Sequence, residues 1–217
     1  MNDDDKGGAA RVVPGRWASA LLALALGAGA LGGCTGLVVG GAVVGGLMVT
    51  DRRTSGAQVE DQAIEIKAAN RLRATLGERG HVNVTSYNRM ALLTGEVSTE
   101  ADSAAAEQAV AQVDNLQSIV NELGIGPASS VQARMNDIVL TSKVKASFID
   151  AADLQAHAIK VVTERSQVYL LGRVTEREAK RASDVARSVP GVRKVIRVFE
   201  LISEAELANL QPKPAPK

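Results

Sequence analysis

The chain has 217 residues, of which 25 are Lys or Arg and 24 are Asp or Glu, so its formal net charge is only +1. Its single cysteine excludes an internal disulfide, and any folded domain must therefore be held together by packing alone. Aromatic residues make up 2% of the sequence, which leaves few rings for stacking on bases and argues against a nucleic-acid-binding protein.

The N-terminal part of the chain has the order of a bacterial secretory signal. Arg11 and Arg16 precede an uncharged stretch over residues 17–30, and small residues lie just before Cys34. We therefore predict a signal peptide over residues 1–33. The ending Leu-Gly-Gly-Cys resembles the lipobox of bacterial lipoproteins, in which the cysteine thiol is diacylated and becomes the mature N-terminus. This resemblance implies that Cys34 is the site of lipid attachment, and this covalent lipid is the one cofactor that we expect.

A tether and linker are predicted over residues 34–56. Residues 36–49 are apolar and rich in glycine, but the stretch is too short for a membrane-spanning helix, which needs about 20 residues. Its small-xxx-small spacing also occurs where helices pack in membranes. Two interpretations of this stretch therefore remain open, a flexible tether and a helix-packing segment. Residues 51–56, Asp-Arg-Arg-Thr-Ser-Gly, are polar and typical of a turn-forming linker.

The rest of the chain contains an internal repeat. His81 aligns with His157, which lies 76 residues later, and Gly95 aligns with Gly172, which lies 77 residues later. Self-similarity at a fixed spacing indicates two copies of one folding module. We predict three segments in this part of the chain: module 1 over residues 57–127, module 2 over residues 128–203 and a Pro-rich tail over residues 204–217.

Both modules show the same order of periodicities. The first element has apolar residues at i, i+4 and i+8, which predicts an amphipathic helix; they are Ile64, Ala68 and Leu72 in module 1 and Leu140, Val144 and Phe148 in module 2. An alternating, β-rich hairpin follows. An alanine-rich helix then begins with the capping-box residues Thr175 and Glu178 and ends before Pro190, and a last strand follows. The predicted order is α-β-β-α-β in each module, which is an α+β fold.

This order of elements and three local motifs are similar to those of the BON domain family. The motifs are VNVTSYN from Val82, LLGRVTEREAK from Leu170 and PGVRKV from Pro190. Two such domains behind a lipobox resemble the dual-BON outer-membrane lipoproteins. The resemblance implies a small three-stranded mixed sheet packed on two helices in each module, which agrees with the periodicity. It also implies an outer-membrane location facing the periplasm, binding of anionic phospholipid through the first helix of the second domain, and enrichment at division sites.

The two modules carry opposite net charges. Residues 57–127 contain ten acidic and five basic residues, a net charge of −5, whereas residues 131–203 contain eight acidic and thirteen basic residues, a net charge of +5. A lysine or arginine close to an anionic head-group layer adds up to about 1 kcal/mol of binding. A basic module next to an acylated cysteine therefore supplies two membrane-binding signals. The predicted partner is an anionic phospholipid membrane.

The first predicted helix of module 2 carries a second row of residues beside its core row, at i, i+3, i+7 and i+10, with a lysine on either side. We predict that the row and its lysines bind phospholipid by lying shallowly in the head-group layer; the six residues are Val139, Ser142, Lys143, Lys145, Ala146 and Ile149. The resemblance implies an aromatic residue at the position of Val139 in some relatives, so valine leaves more of the binding to electrostatics. The alternative is that the row packs on module 1, whose charge is opposite.

Nothing in the sequence is typical of an enzyme or a metal site. His81 and His157 hold matching positions, which favours a role in a turn over catalysis, and no second histidine or cysteine lies at metal-ligand spacing to either. We expect a non-enzymatic outer-membrane lipoprotein that binds anionic phospholipid through module 2 and supports outer-membrane integrity. The alternative is a periplasmic adaptor that binds an outer-membrane assembly machine or a cell-wall hydrolase regulator through the acidic module 1.

Overall fold

A computed structural model of the chain describes residues 51–210. The predicted signal peptide, the predicted lipid attachment site Cys34, most of the tether and the Pro-rich end over residues 211–217 lie outside the described residues. Within residues 51–210, no helix is both long enough and apolar enough to cross a membrane.

Each half of the described chain folds in the predicted order α-β-β-α-β. The elements of module 1 are α1 (Ser55–Leu76), β1 (Gly80–Tyr87), β2 (Met90–Val97), α2 (Glu100–Ala111), β3 (Ser118–Asn121) and β4 (Gly124–Ile125). The elements of module 2 are α3 (Val131–Asp150), a 3₁₀ turn (Ala156–Ala158), β5 (Lys160–Glu164), β6 (Gln167–Val174), α4 (Glu176–Ser188) and β7 (Lys194–Leu201). A further helix, α5 (Glu204–Leu210), lies in the segment predicted as the tail.

Both sheets are mixed, as predicted. In module 1, β2 pairs antiparallel with β1 and parallel with β3 and β4. In module 2, β6 pairs antiparallel with β5 and parallel with β7. The last strand of module 1 is split into β3 and β4, because the side chain of Asn121 accepts a hydrogen bond from the N–H of Leu123 at 3.2 Å and turns the chain there. The single last strand predicted for module 1 is therefore two short strands along one edge.

The helices of each module pack on one face of its sheet and enclose a separate core. The predicted helical rows lie at the centre of these cores: Ile64, Ala68 and Leu72 in module 1 and Leu140, Val144 and Phe148 in module 2. The predicted capping box starts α4, because the N–H of Glu178 donates to the hydroxyl of Thr175 at 3.4 Å and the N–H of Thr175 donates to the Glu178 carboxylate at 3.0 Å.

A buried aspartate on the first helix of each module holds the turn of the hairpin that follows. Asp61 accepts hydrogen bonds from the N–H groups of Asn88 and Arg89 at 2.7 and 2.8 Å. Asp137 does the same for the two turn residues of module 2, at 2.9 and 2.8 Å. All four turn residues have φ between 49° and 66°, as in a two-residue hairpin turn. The carboxylates thus give partners to N–H groups that the strands leave free.

The aligned glycines lie where two strands approach closely. A Cβ atom on Gly95 would lie 2.0 Å from the carbonyl oxygen of His81, and one on Gly172 would lie 2.6 Å from the carbonyl oxygen of Ala158. Gly95 also has a φ of 107°, which a residue with a side chain rarely adopts. Both copies of the repeat therefore need glycine at this position.

The two modules pack together through the sheet faces that do not carry helices. Because side chains alternate between the faces of a strand, Leu93 faces the core of module 1 while its neighbour Leu92 faces the other way. We call the shared apolar layer the seam; its buried members are Tyr87 and Leu92 of module 1 and Tyr169, Leu171 and Val198 of module 2.

Charged contacts border the seam. The Nζ of Lys160 donates to Glu65 Oε1 at 3.0 Å and to the carbonyl oxygen of Ser86 at 3.2 Å. The Nε of Arg165 lies 3.8 Å from Glu96 Oε1. In both ion pairs the base belongs to module 2 and the acid to module 1, so the opposite charges of the modules meet here.

Candidate functional site

The six residues predicted to bind phospholipid all lie on α3, and all of them are exposed. The core row of α3 faces its own sheet and is buried. Because the six residues fall on other sides of the helix, they form part of its outward surface. They are Val139, Ser142, Lys143, Lys145, Ala146 and Ile149.

The outward surface of α3 carries three further apolar residues that the predicted row leaves out. They are Val131, Met135 and Ile138, at i, i+4 and i+7, and this helical spacing is a signal that could have found them. Together with Val139 and Ile149 they form what we call the apolar strip, each member of which is between 51% and 68% exposed. A contiguous exposed apolar surface is typical of a site of interaction.

A lysine lies beside each long edge of the apolar strip. At 3.6 residues per turn, Lys145 projects about 20° outside the strip on the side of Ile138, and Lys143 about 40° outside it on the side of Val139. Within residues 51–210 neither lysine has an ion-pair partner, whereas Lys67, Lys160 and Lys180 each have one. The hydroxyl of Ser142, inside the strip, donates to the carbonyl oxygen of Ile138 at 3.1 Å, so the helix itself satisfies it.

Module 1 does not cover the outward surface of α3. The modules meet through their sheets at the seam, and Val139 and Ile149 remain 51% and 67% exposed with both modules in place. The alternative that the row packs on module 1 therefore does not hold for the described part of the chain.

The segment predicted as a polar linker is held by module 2. The guanidinium of Arg52 donates to both carboxylate oxygens of Glu178 at 2.7 and 2.8 Å and to the carbonyl oxygen of Arg173 at 2.7 Å. The side chains of Arg52 and Glu178 are only 8% and 5% exposed. Burial raises the pKa of Glu178, but the hydrogen bonds from Arg52 and the Thr175 N–H outweigh it and hold the pKa below its usual value.

The next residue fixes the same segment to module 1. Arg53 donates to Asp61 Oδ2 at 2.7 Å, and its guanidinium lies 4.3 Å from the ring centre of Tyr87, a cation–π contact. Burial raises the pKa of Asp61, but hydrogen bonds from Arg89, Ser86 and Arg53 hold it below its usual value. We call residues 51–53 the strap, because they connect the starts of α1 and α4 in different modules.

The described residues present an exposed apolar surface on α3. Within residues 51–210, no group of three or more His, Cys, Asp or Glu side chains is placed to hold a metal ion. His157 lies in the 3₁₀ turn, but His81 lies in β1, so the prediction of a turn role is wrong for His81. What α3 presents to solvent is an apolar strip with a positive charge beside each edge.

Comparison with known proteins places both modules in one family. The BON domain family matches residues 60–127 and residues 136–202. A solved structure of CdsD, a structural protein of the Type III secretion system of Chlamydia trachomatis, has a TM-score of 0.28 at 10% identity, covering 67% of this chain and 95% of that chain. The chain is also similar to the 21 kDa hemolysin of Actinobacillus pleuropneumoniae. The two are 33% identical over 154 aligned residues, and this alignment covers 70% of this chain and 79% of that protein. The chain is 36% identical to the outer membrane lipoprotein DolP of Haemophilus influenzae over 184 aligned residues. This alignment covers 83% of this chain and 95% of that protein. The chain therefore belongs to the BON domain family and carries two copies of the domain.

Proposed function

We propose that this protein is a non-enzymatic outer-membrane lipoprotein that binds anionic phospholipid through its second BON domain and supports outer-membrane integrity. A lipid on Cys34 would hold it at the membrane with both domains in the periplasm, and the identity to an outer membrane lipoprotein supports this location. Thr35, in place of aspartate after that cysteine, favours sorting to the outer membrane. Enrichment at division sites belongs to the same proposal and rests on the family resemblance.

The observation that carries the proposal is the apolar strip of α3 with its two edge lysines. A helix of this kind lies in the plane of the membrane, with apolar side chains at the acyl boundary and basic side chains at the head groups. Lysines near an anionic surface contribute about 1 kcal/mol each, so Lys143 and Lys145 together contribute about 2 kcal/mol, or roughly 30-fold in binding. The acyl anchor and this helix would act as two membrane-binding signals in one chain.

Co-sedimentation with vesicles tests the proposal. The protein used is residues 35–217, which keeps every described residue, with vesicles of phosphatidylcholine alone or mixed with phosphatidylglycerol. We expect binding only to the anionic vesicles, and at least about tenfold weaker binding when Lys143→Glu and Lys145→Glu are combined. The matched control combines Arg193→Glu and Lys194→Glu, which are exposed in the same domain and make the same change in charge. Equal binding by the two double variants would refute the site.

Salt separates the two contributions of α3. Binding should weaken as NaCl rises above 0.1 M, where the Debye length is about 10 Å, because the lysines are exposed and are screened. Replacing Met135 and Ile138 by serine should also weaken binding but leave its salt dependence unchanged. Absence of binding to either kind of vesicle would leave the acyl chain as the sole membrane contact. That result would favour the alternative function, a periplasmic adaptor that binds an outer-membrane assembly machine or a cell-wall hydrolase regulator through module 1, the first BON domain.

A further inference from the structure

A cavity of about 310 Å³ opens beside the apolar strip, between the second half of α3 and the start of β5. Its floor is apolar, because Phe148, Ile159 and Val161 line it and are almost completely buried. Lys145, Ile149 and His157 also line it and are exposed, so they stand at its mouth. Lys145 and Ile149 thus belong both to the outward surface of α3 and to the cavity.

The charge available at the mouth comes from Lys145. Lys160 also lines the cavity, but its ammonium group donates to Glu65 and to the carbonyl oxygen of Ser86 in the first domain. Only the aliphatic stem of Lys160 therefore contributes to the wall. Lys145 has no ion-pair partner within residues 51–210, so its three N–H donors can turn toward a bound anion.

The repeat builds the same cavity in the first domain, with different residues at its mouth. That cavity has a volume of about 200 Å³ and lies between α1 and the start of β1. Residues 76 apart correspond: Lys145 replaces Ala69, Ile149 replaces Arg73, and His157 matches His81. Arg73 donates to the side chain of Asn70 at 3.1 Å. In the second domain, the apolar side chain of Ile149 lies both on the helix surface and at the cavity, beside Lys145, which has no described ion-pair partner. The first domain does not share this arrangement.

We propose that the cavity of the second domain binds a single anionic phospholipid molecule, with carbons of one acyl chain on the apolar floor and the phosphate between Lys145 and His157. This inference rests on the proposed function, because α3 is what brings the mouth to the membrane surface. Pockets for small ligands are mostly apolar with a few polar groups and start at about 300 Å³, so this cavity takes part of one lipid. A charge-assisted hydrogen bond from lysine to phosphate supplies the selection for an anion.

The two histidines of the chain lie at different cavities. His157 lines the cavity of the second domain, whereas His81 lines that of the first domain and a further cavity of about 290 Å³ beside Ile138 of α3, and the chain has no other histidine. We would titrate residues 35–217 with dihexanoyl phosphatidylglycerol, kept below its micelle concentration, and follow the imidazole proton NMR signals, assigned with His157→Gln. The expected result is a saturable shift of the His157 signals and no shift of the His81 signals. No shift at His157, or equal shifts at both histidines, would overturn the inference.

Two further probes test the chemistry of the ligand. Dihexanoyl phosphatidylcholine should bind much more weakly, and inorganic phosphate should produce no saturable shift at the same concentration. Equal binding of the zwitterionic lipid would contradict selection by Lys145. A shift reproduced by phosphate alone would overturn the lipid cavity in favour of a simple anion site.

Variants separate the cavity from the outward surface of α3. Ala156 lies at the cavity wall and outside the apolar strip, so Ala156→Leu should fill the cavity and weaken binding of the short lipid by at least about tenfold. Vesicle binding should stay within about twofold, because the strip and both edge lysines are unchanged. If the protein binds vesicles but not the short lipid, the cavity is refuted as a lipid site and the proposed function of the surface stands. Binding of the short lipid without vesicle binding would instead refute the proposed function of the surface.

If Ala156→Leu does not fold, a substitution at an exposed residue provides the test instead. Lys145→Ala introduces the residue found at the matching position of the first domain, and it should weaken binding of the short lipid. Lys194→Ala, at an exposed lysine of the same domain that lies outside both the strip and the cavity, is the matched control and should leave that binding unchanged. Equal effects of the two replacements would overturn the assignment of the cavity.

Discussion

Replacing Arg52 by alanine would remove the buried partner of Glu178. The guanidinium donates two hydrogen bonds to the carboxylate, at 2.7 and 2.8 Å, and one to the carbonyl oxygen of Arg173. Breaking a buried ion pair by removing one partner costs about 3–5 kcal/mol, because the remaining charge stays buried without compensation. With Glu178 only 5% exposed, we expect the free energy of unfolding to fall by about that amount. This is a large share of the 5–15 kcal/mol that is typical of a native protein.

The size of this loss should depend on pH. Burial raises the pKa of Glu178, yet the hydrogen bonds from Arg52 hold it below the ordinary value of 4.5. A lowered folded-state pKa stabilises the fold above the unfolded pKa, and this contribution is lost as the pH falls through the folded-state value. Removing Arg52 takes away the first of the contacts that oppose burial, so the pKa of Glu178 rises and acid neutralises the buried carboxylate more readily in the variant. The difference in stability between wild type and variant should therefore be largest near neutral pH and shrink as the pH falls through the raised folded-state pKa of the variant toward the lowered one of the wild type.

Urea denaturation of residues 35–217, followed by circular dichroism across this pH range, measures both effects. The matched control is Arg177→Ala, because Arg177 is adjacent to Glu178 on α4 and pairs with Glu204 at 3.5 Å, with both side chains at least 60% exposed. An exposed pair of this kind contributes about 0–1 kcal/mol. A loss for Arg52→Ala no larger than that for the control, or a loss that does not change with pH, would refute the strap as a stabilising contact.

Two further predictions concern the seam and the aligned glycines. Residues 128–210 alone should unfold at a lower temperature than the second domain in the whole chain, because Tyr169 and Leu171 lose their seam partners; equal melting temperatures would show independent domains. Gly95→Ala should lower the free energy of unfolding by at least about 2 kcal/mol, because the new Cβ would lie 2.0 Å from the His81 carbonyl oxygen. Gly126→Ala, at a positive φ with open space around it, is its control in denaturant titrations; equal losses would show that the contact is unimportant.

The elements of both domains could be predicted because each follows from local periodicity and local capping. The seam could not be predicted from an alternating pattern. Such a pattern indicates a sheet with one buried face and one face in solvent, whereas the seam covers the second face as well. The sequence did hold a signal for it: Val168, Tyr169, Leu170 and Leu171 are four consecutive apolar residues, as expected for a strand buried on both faces. In the structure, Val168 and Leu170 face the helices while Tyr169 and Leu171 face the seam.

The strap shows a different limit of sequence reasoning. Its polar composition predicts a solvated linker, and nothing nearby in the sequence indicates a buried partner. The partner of Arg52 is Glu178, which lies 126 residues away. The capping box of α4 already accounts for a glutamate at position 178, so its pattern in the sequence does not indicate a second partner. On α3, by contrast, the three additional strip residues follow a helical spacing that can be read from the sequence.

The net charge of the second domain does not measure the positive charge that a membrane would meet. Lys160 and Arg165 belong to its +5, but both lie at the seam and pair with acids of the first domain. Acids of the first domain offset their charge, and part of the −5 of the first domain is offset in turn. Lys143 and Lys145 have no such partner within residues 51–210 and lie at the edges of an apolar strip, where the two forces that hold a helix in a head-group layer coincide. Charge reversal on α3 should therefore weaken membrane binding by at least about tenfold, whereas an equal reversal elsewhere in the same domain should leave it intact, even though the two variants have identical net charge.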